Sequence, residues 1–125
     1  MHITLANLHL ATPQQVFDQV ARHLMTQKAR STDFNGHCKY RGLNGLKCAA
    51  GCVISDDEYD PFFEGKSWDH LMSIIATRSS SRPLVHIELI GRLQLVHDGY
   101  VVSYWREMLQ AVAVCFNLDS AILDS

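Results

Sequence analysis

Long apolar runs are missing from this chain of 125 residues, and even VHIELIGRLQLV is broken by Glu88 and Arg92. A helix that crosses a bilayer needs roughly 20 apolar residues, so no membrane partner is expected. An excess of one charge sign is missing too: 11 basic residues face 13 acidic ones, for a formal charge of -2. That balance leaves no electrostatic footprint for nonspecific binding of nucleic acid, which is therefore not the expected partner. The opening segment MHITLANLHLATPQQ has no cationic region, and Asn7 and His9 interrupt its apolar residues, so it does not read as a secretory signal. The expected compartment is the cytoplasm, where Cys38, Cys48, Cys52 and Cys115 stay thiols unless metal or catalysis claims them. Neither an internal repeat nor a linker is present, which predicts one domain over residues 1–125 with a core of about 12–118.

What the chain does carry is helical periodicity. Thr12 followed by Pro13 is a capping hydroxyl with proline at the first helical position. Val16, Phe17, Val20, Ala21 and Leu24 then recur at three-and-four spacing, which predicts an amphipathic helix ending near Gln27. Ser67 is placed to cap a second helix with Trp68, Leu71, Met72 and Ile75 on one face, stopping before a loop over residues 77–82. From Pro83 to His97 the chain is apolar around much of its circumference. Length favours a central helix over a buried strand, with Gly99 as a left-handed cap. Ser103 opens a last helix whose Trp105, Met108, Leu109, Val112, Ala113 and Phe116 share a face.

The stretch from His37 to Gly65 reads differently. It holds three of the four cysteines together with Gly42, Gly45, Gly51 and Gly65. Asn44-Gly45 tolerates positive φ and lies between two short segments, residues 38–41 and 46–49, as a β-hairpin requires. The small apolar run from Ala49 to Ile54 suits a tightly packed, buried helical turn. Ser55 is a candidate cap before Asp56, Asp57 and Glu58, with Pro61 closing that turn. The expected fold is therefore mainly α (α+β): a single compact helical domain of four to five helices with a short β-hairpin inserted after the first long helix.

The run Cys38-Lys39-Tyr40-Arg41-Gly42, then Gly45-Leu46-Lys47-Cys48-Ala49-Ala50-Gly51-Cys52-Val53-Ile54, then Asp57, Tyr59, Pro61 and Glu64-Gly65, resembles a family of small uncharacterised proteins common in bacteriophages and prophages. Weaker similarity extends through Leu95-Val96-His97-Asp98 and the helix at Trp105, covering most of residues 12–118. Ser55 departs from the family pattern, which reads proline there. The resemblance carries no assigned activity. It implies a phage or prophage accessory protein in the cytoplasm of the host bacterium, binding a host or phage protein and inhibiting host defence or other host machinery.

Three chemistries compete for the insert. Cys38, Cys48 and Cys52 with His37 or His23 offer zinc a thiolate and imidazole set, but C-x9-C-x3-C lacks the paired C-x2-C knuckle, so no cofactor is the preferred reading and zinc the alternative. A thiol hydrolase built on Cys48 or Cys52 with His23, His37, His86 or His97 as base comes third, since no local signature surrounds either sulfur. His70, His97-Asp98 and Asp119 or Asp124 are loosely similar to the metal-binding pattern of HD phosphohydrolases, although a helix cap explains Asp98-Gly99. Buried thiols acting as small hydrophobes are the simplest account of the cysteines. Arg41, Gly45 and Gly51 are read as structural, Arg41 bonding carbonyls or a carboxylate such as Asp57 or Glu64.

The candidate partner surface is the acidic-aromatic segment that follows: Asp56, Asp57, Glu58, Tyr59, Asp60, Phe62, Phe63 and Glu64. Aromatic anchors among carboxylates suit a partner pocket with a basic rim. The expected protein acts by protein–protein binding and not by catalysis.

Overall fold

The computed structural model describes residues 2–78 and 85–125. Helix α1 spans Pro13–Gln27, α2 Trp68–Arg78, α3 Ile87–Gly99 and α4 Trp105–Cys115, joined by short 3-10 turns. The chain is mainly α, and no strand forms among the described residues. Pro83 and most of the loop expected over residues 77–82 lie outside the described residues, while Thr77 and Arg78 belong to α2.

Helix α1 begins where its signals stand. Thr12 Oγ1 accepts the Gln15 N–H at 3.1 Å and Gln15 Oε1 accepts the Thr12 N–H at 2.9 Å, a reciprocal cap that stabilises a helix by about 1 kcal/mol. Its stripe of Val16, Phe17, Val20, Ala21 and Leu24 is fully buried. The helix stops at Lys28, whose φ of 49° is left-handed and whose N–H returns to Leu24 O at 2.9 Å. Helix α3 forms the centre, packing against α1, α2 and α4 and burying Leu89, Ile90, Leu93, Val96 and His97. Trp105, Leu109, Val112 and Ala113 of α4 close the core from the other side. Each large apolar side chain buried this way contributes about 1.5–3 kcal/mol against the entropy of ordering the chain.

Several expectations change. Gly99 is the last residue of α3, but its φ is not positive, and Tyr100 leaves the helix in an extended conformation instead of through a left-handed cap. Pro61 does not close a turn; it opens the 3-10 turn Pro61–Phe63, capped by Asp60 Oδ1 on the Phe62 N–H at 2.9 Å. Nor is the core confined to residues 12–118. Ile3, Leu5, Leu8 and Leu123 are buried: Gln19 of α1 bonds both the N–H and C=O of Ile3, Glu58 accepts the N–H groups of Leu5 and Ala6, and the C-terminal turn that carries Leu123 packs on α1.

The expected β-hairpin is replaced by a single antiparallel bridge between Arg41 and Lys47. The turn chemistry is present: Asn44 and Gly45 have φ of 61° and 73°, and the Gly42 N–H donates to Leu46 O at 2.9 Å. A ladder does not grow because a third segment takes its hydrogen bonds. The Ser31 hydroxyl lies 2.8 Å from Lys39 O and 3.1 Å from Leu46 O, the Lys39 N–H donates to Ser31 O, and the Leu43 N–H donates to Thr32 O. Gly42 makes this possible, since a Cβ there would lie 2.5 Å from Ser31 Oγ and 2.6 Å from Thr32 N.

Candidate functional site

The insert is built around Arg41. Its guanidinium donates to Gly51 O at 2.8 Å and Ile54 O at 2.6 Å, reaches Asp56 at 3.4 Å, and sits 5.0 Å from the centre of the Tyr59 ring. Glu64 holds the other side, accepting the N–H groups of Tyr40 and Arg41 and the Tyr59 hydroxyl at 2.6 Å. Burial first and this hydrogen bond second push the Tyr59 phenol up to about 12. Gly51 carries no side chain because a Cβ would meet Tyr40 O at 2.4 Å. Fork-like bonding to two carbonyls is what a planar guanidinium does best. The result is a braced loop with its polar groups satisfied internally.

The sulfurs do not converge. Cys38 and Cys48 line a cavity of about 250 Å³ bordered by Tyr40, Trp68 and Asp98, whereas Cys52 faces α1 beside His23. His37 is exposed and pairs with Asp33 at 3.5 Å. The expected zinc set of Cys38, Cys48, Cys52 and His37 is therefore not brought together. Burial in apolar surroundings raises the Cys48 thiol far above its ordinary range and pushes Cys52 up to about 12. A thiol in that state is a weak nucleophile. His23 does lie near Cys52 along one groove, but its Nε2 is committed to Lys47 O at 2.9 Å.

One cluster that sequence reasoning passed over is Cys38, His97 and Asp98, whose ligand-type atoms all lie within 4.8 Å of one another. His97 Nε2 accepts the Ser31 N–H at 2.9 Å, so the ring proton sits on Nδ1 and donates to Asp98 Oδ1 at 2.7 Å. Burial raises the Asp98 carboxyl, but hydrogen bonds from His97 and Gln94 outweigh it and hold Asp98 below the usual carboxylate range. Burial, followed by the neighbouring Asp98 charge, raises the Cys38 thiol. Both ring nitrogens are hydrogen-bonded and the side chain is fully buried, so His97 acts here as a bridge between Ser31 and Asp98. The cluster ties the end of α3 to the segment after α1. The pattern His70…His97-Asp98 likewise gains no support, because His70 is exposed and not part of this group.

The acidic-aromatic segment divides in two. Glu58 spends its carboxylate on the N–H groups of Leu5, Ala6 and Ser55, and Glu64 on Tyr40 and Arg41. Phe63 is buried, and Tyr59 packs edge-on against it with ring centres 6.1 Å apart. Asp56, Asp57, Asp60 and Phe62 remain exposed, with Asp56 reached by Arg41 and Lys47 and the Phe62 ring covered by Lys66 at 3.7 Å.

A second surface lies between α3 and α4. Leu95 is 59% exposed, Val101 57%, Tyr104 54% and Tyr100 45%, large apolar side chains that the core leaves uncovered. Beside them runs a groove of about 190 Å³ lined by Leu95, Tyr100, Met108 and Phe116. The sequence signal for it is the apolar circumference of α3, wider than one buried face needs. No helix among the described residues is long and apolar enough to cross a membrane. Comparison with protein-family models, curated proteins and solved structures returns no match for this chain.

Proposed function

We propose that the chain is a non-catalytic, mainly helical binding protein: an accessory protein of phage or prophage type that acts by seating a host or phage protein partner. Inhibition of host defence or other host machinery is the form this action takes. The observation that carries the reading is the contrast between the two kinds of surface. His97, Glu58, Glu64 and Arg41 are consumed by internal bonds, while Leu95, Tyr100, Val101 and Tyr104 stand uncovered around a preformed apolar groove. Exposed aromatics beside a groove are the usual anchors of protein interfaces. The partner presents apolar side chains to the groove. Asp57, Asp60 and Phe62 form a second, smaller contact surface for a basic rim.

Capture of the partner from host cells by tagged protein tests this with two double variants, Leu95→Asp with Tyr104→Ser, and Asp57→Lys with Asp60→Lys. The first abolishes capture and the second reduces it in a salt-dependent way, with circular dichroism unchanged in both. Capture that survives both variants overturns the reading.

A further inference from the structure

A groove of about 610 Å³ runs along α1, and Arg22, His23, Lys47, His2, Asp18 and Ile122 line it. Its size lies within the usual range of small-molecule sites, about 300–1,000 Å³. It shares no lining residue with the groove between α3 and α4.

The polar walls are selective in what they leave free. Gln15 is spent on the Thr12 cap and Gln19 on Ile3 and Cys52. Asp18 accepts the Gln14 amide at 2.9 Å. Although Asp18 and Arg22 stand four residues apart on α1, no ion pair joins them, and the Arg22 guanidinium has no ion-pair partner among the described residues. The Lys47 ammonium makes only a loose contact with Asp56 at 3.9 Å. Arg22, Lys47 and Asp18 therefore line an open concavity, while Asp56 lies against the Lys47 ammonium outside that lining. In such a place an anion gains more than at a flat surface, and an arginine binds oxyanions bidentately.

His23 adds a second requirement. Its Nε2–H donates to the Lys47 carbonyl at 2.9 Å, which fixes the tautomer and leaves Nδ1 as an acceptor without a partner. A bare acceptor repels an oxyanion but receives a hydroxyl. Ile122 supplies an apolar wall.

We infer that this groove is a binding site for a small hydroxylated organic phosphate, with the phosphate between Arg22 and Lys47, a hydroxyl donating to His23 Nδ1, and the carbon skeleton against Ile122. A nucleoside monophosphate and a sugar phosphate share this chemistry and serve as separate probes.

The test is a titration of the full chain with adenosine 5′-monophosphate, ribose 5-phosphate and inorganic phosphate, followed by nitrogen-detected shifts of the Arg22 Nε and the His23 ring and by calorimetry. Saturable shifts at both residues are expected with at least one organic probe, with inorganic phosphate weaker by about tenfold or more. Arg22→Gln and Lys47→Gln each raise the Kd by about tenfold, while Lys28→Gln, an exposed cation outside the groove, leaves it unchanged. These are surface side chains, so the variants keep the wild-type melting temperature. Absence of saturation up to about 10 mM of either organic probe overturns the site. So does a Kd indifferent to Arg22→Gln and Lys47→Gln. Equal affinity for inorganic phosphate overturns the hydroxylated skeleton as part of the ligand.

Discussion

The backbone N–H of Ser31 donates to Nε2 of His97 across 2.9 Å, and both residues are fully buried. That bond decides the tautomer of the ring, directs its other proton to Asp98, and joins the end of α3 to the loop that follows α1. The His97 ring also lies 5.6 Å from the Trp105 ring, centre to centre, so α4 shares the same junction.

His97→Phe keeps the volume of the ring but strands the Ser31 N–H in the core. Leaving a buried donor unsatisfied costs about 1–3 kcal/mol, and the lost bond to Asp98 adds to it, so urea denaturation should show a loss of about 2–4 kcal/mol. A loss under about 0.5 kcal/mol would mean that the bond contributes little to holding α3 in place.

Arg41→Ala removes the clamp on the Gly51 and Ile54 carbonyls and lowers stability by about 2–3 kcal/mol, read as a fall in melting temperature. Arg41→Lys recovers less than half of this, because an ammonium cannot fork to both oxygens. An unchanged melting temperature in Arg41→Ala contradicts the bracing role.

Gly51→Ala tests the close approach of two chain segments directly. The added methyl would lie 2.4 Å from Tyr40 O, a backbone atom with no freedom to swing aside, so a loss of about 2 kcal/mol or more is expected. Gly91→Ala, inside α3 with open space around its Cβ position, should instead be neutral or stabilising by up to about 1 kcal/mol. Equal melting temperatures for the two variants would refute the distinction.

Thiol reactivity follows from burial. Alkylation of the native protein with iodoacetamide near neutral pH should label Cys115, which is exposed, and spare Cys48 and Cys52, whose thiolates are suppressed by their surroundings. Cys38, half-buried with a raised thiol pKa, reacts more slowly than Cys115. All four react once the chain is unfolded. Rapid native labelling of Cys52 would show that it is an activated thiol after all.

The helices were legible because local chemistry and periodicity agree. Thr12, Pro13 and Gln15 mark the start of α1, and the stripe from Val16 to Leu24 marks its buried face; both act within a few residues of where they stand. The hairpin was not legible, although Asn44-Gly45 is a strong local turn signal. Its hydrogen bonds are taken by Ser31 and Thr32, residues of the loop after α1 that no local signal in residues 38–49 announces. The buried N-terminal residues escaped for a similar reason: the partners of Ile3 and Leu5 are Gln19 and Glu58, far along the chain.

The candidate site divides on the same line. Sequence shows that residues 56–64 combine carboxylates with aromatics, but a carboxylate reads the same whether it faces a partner or a backbone N–H. Tertiary structure turned Glu58 and Glu64 inward and left Asp57, Asp60 and Phe62 outside. It also dispersed the cysteines that looked like one metal set, because Cys52 and Cys38 leave the insert in different directions. By itself, the sequence determined the mainly helical class, the ends of α1 and the absence of a long apolar helix, all properties of neighbouring residues. Only the tertiary structure decided which polar groups are spent on the fold and which stay at the surface. Hydrogen-bond satisfaction in a buried loop is a contest among segments far apart in the chain, settled when they pack.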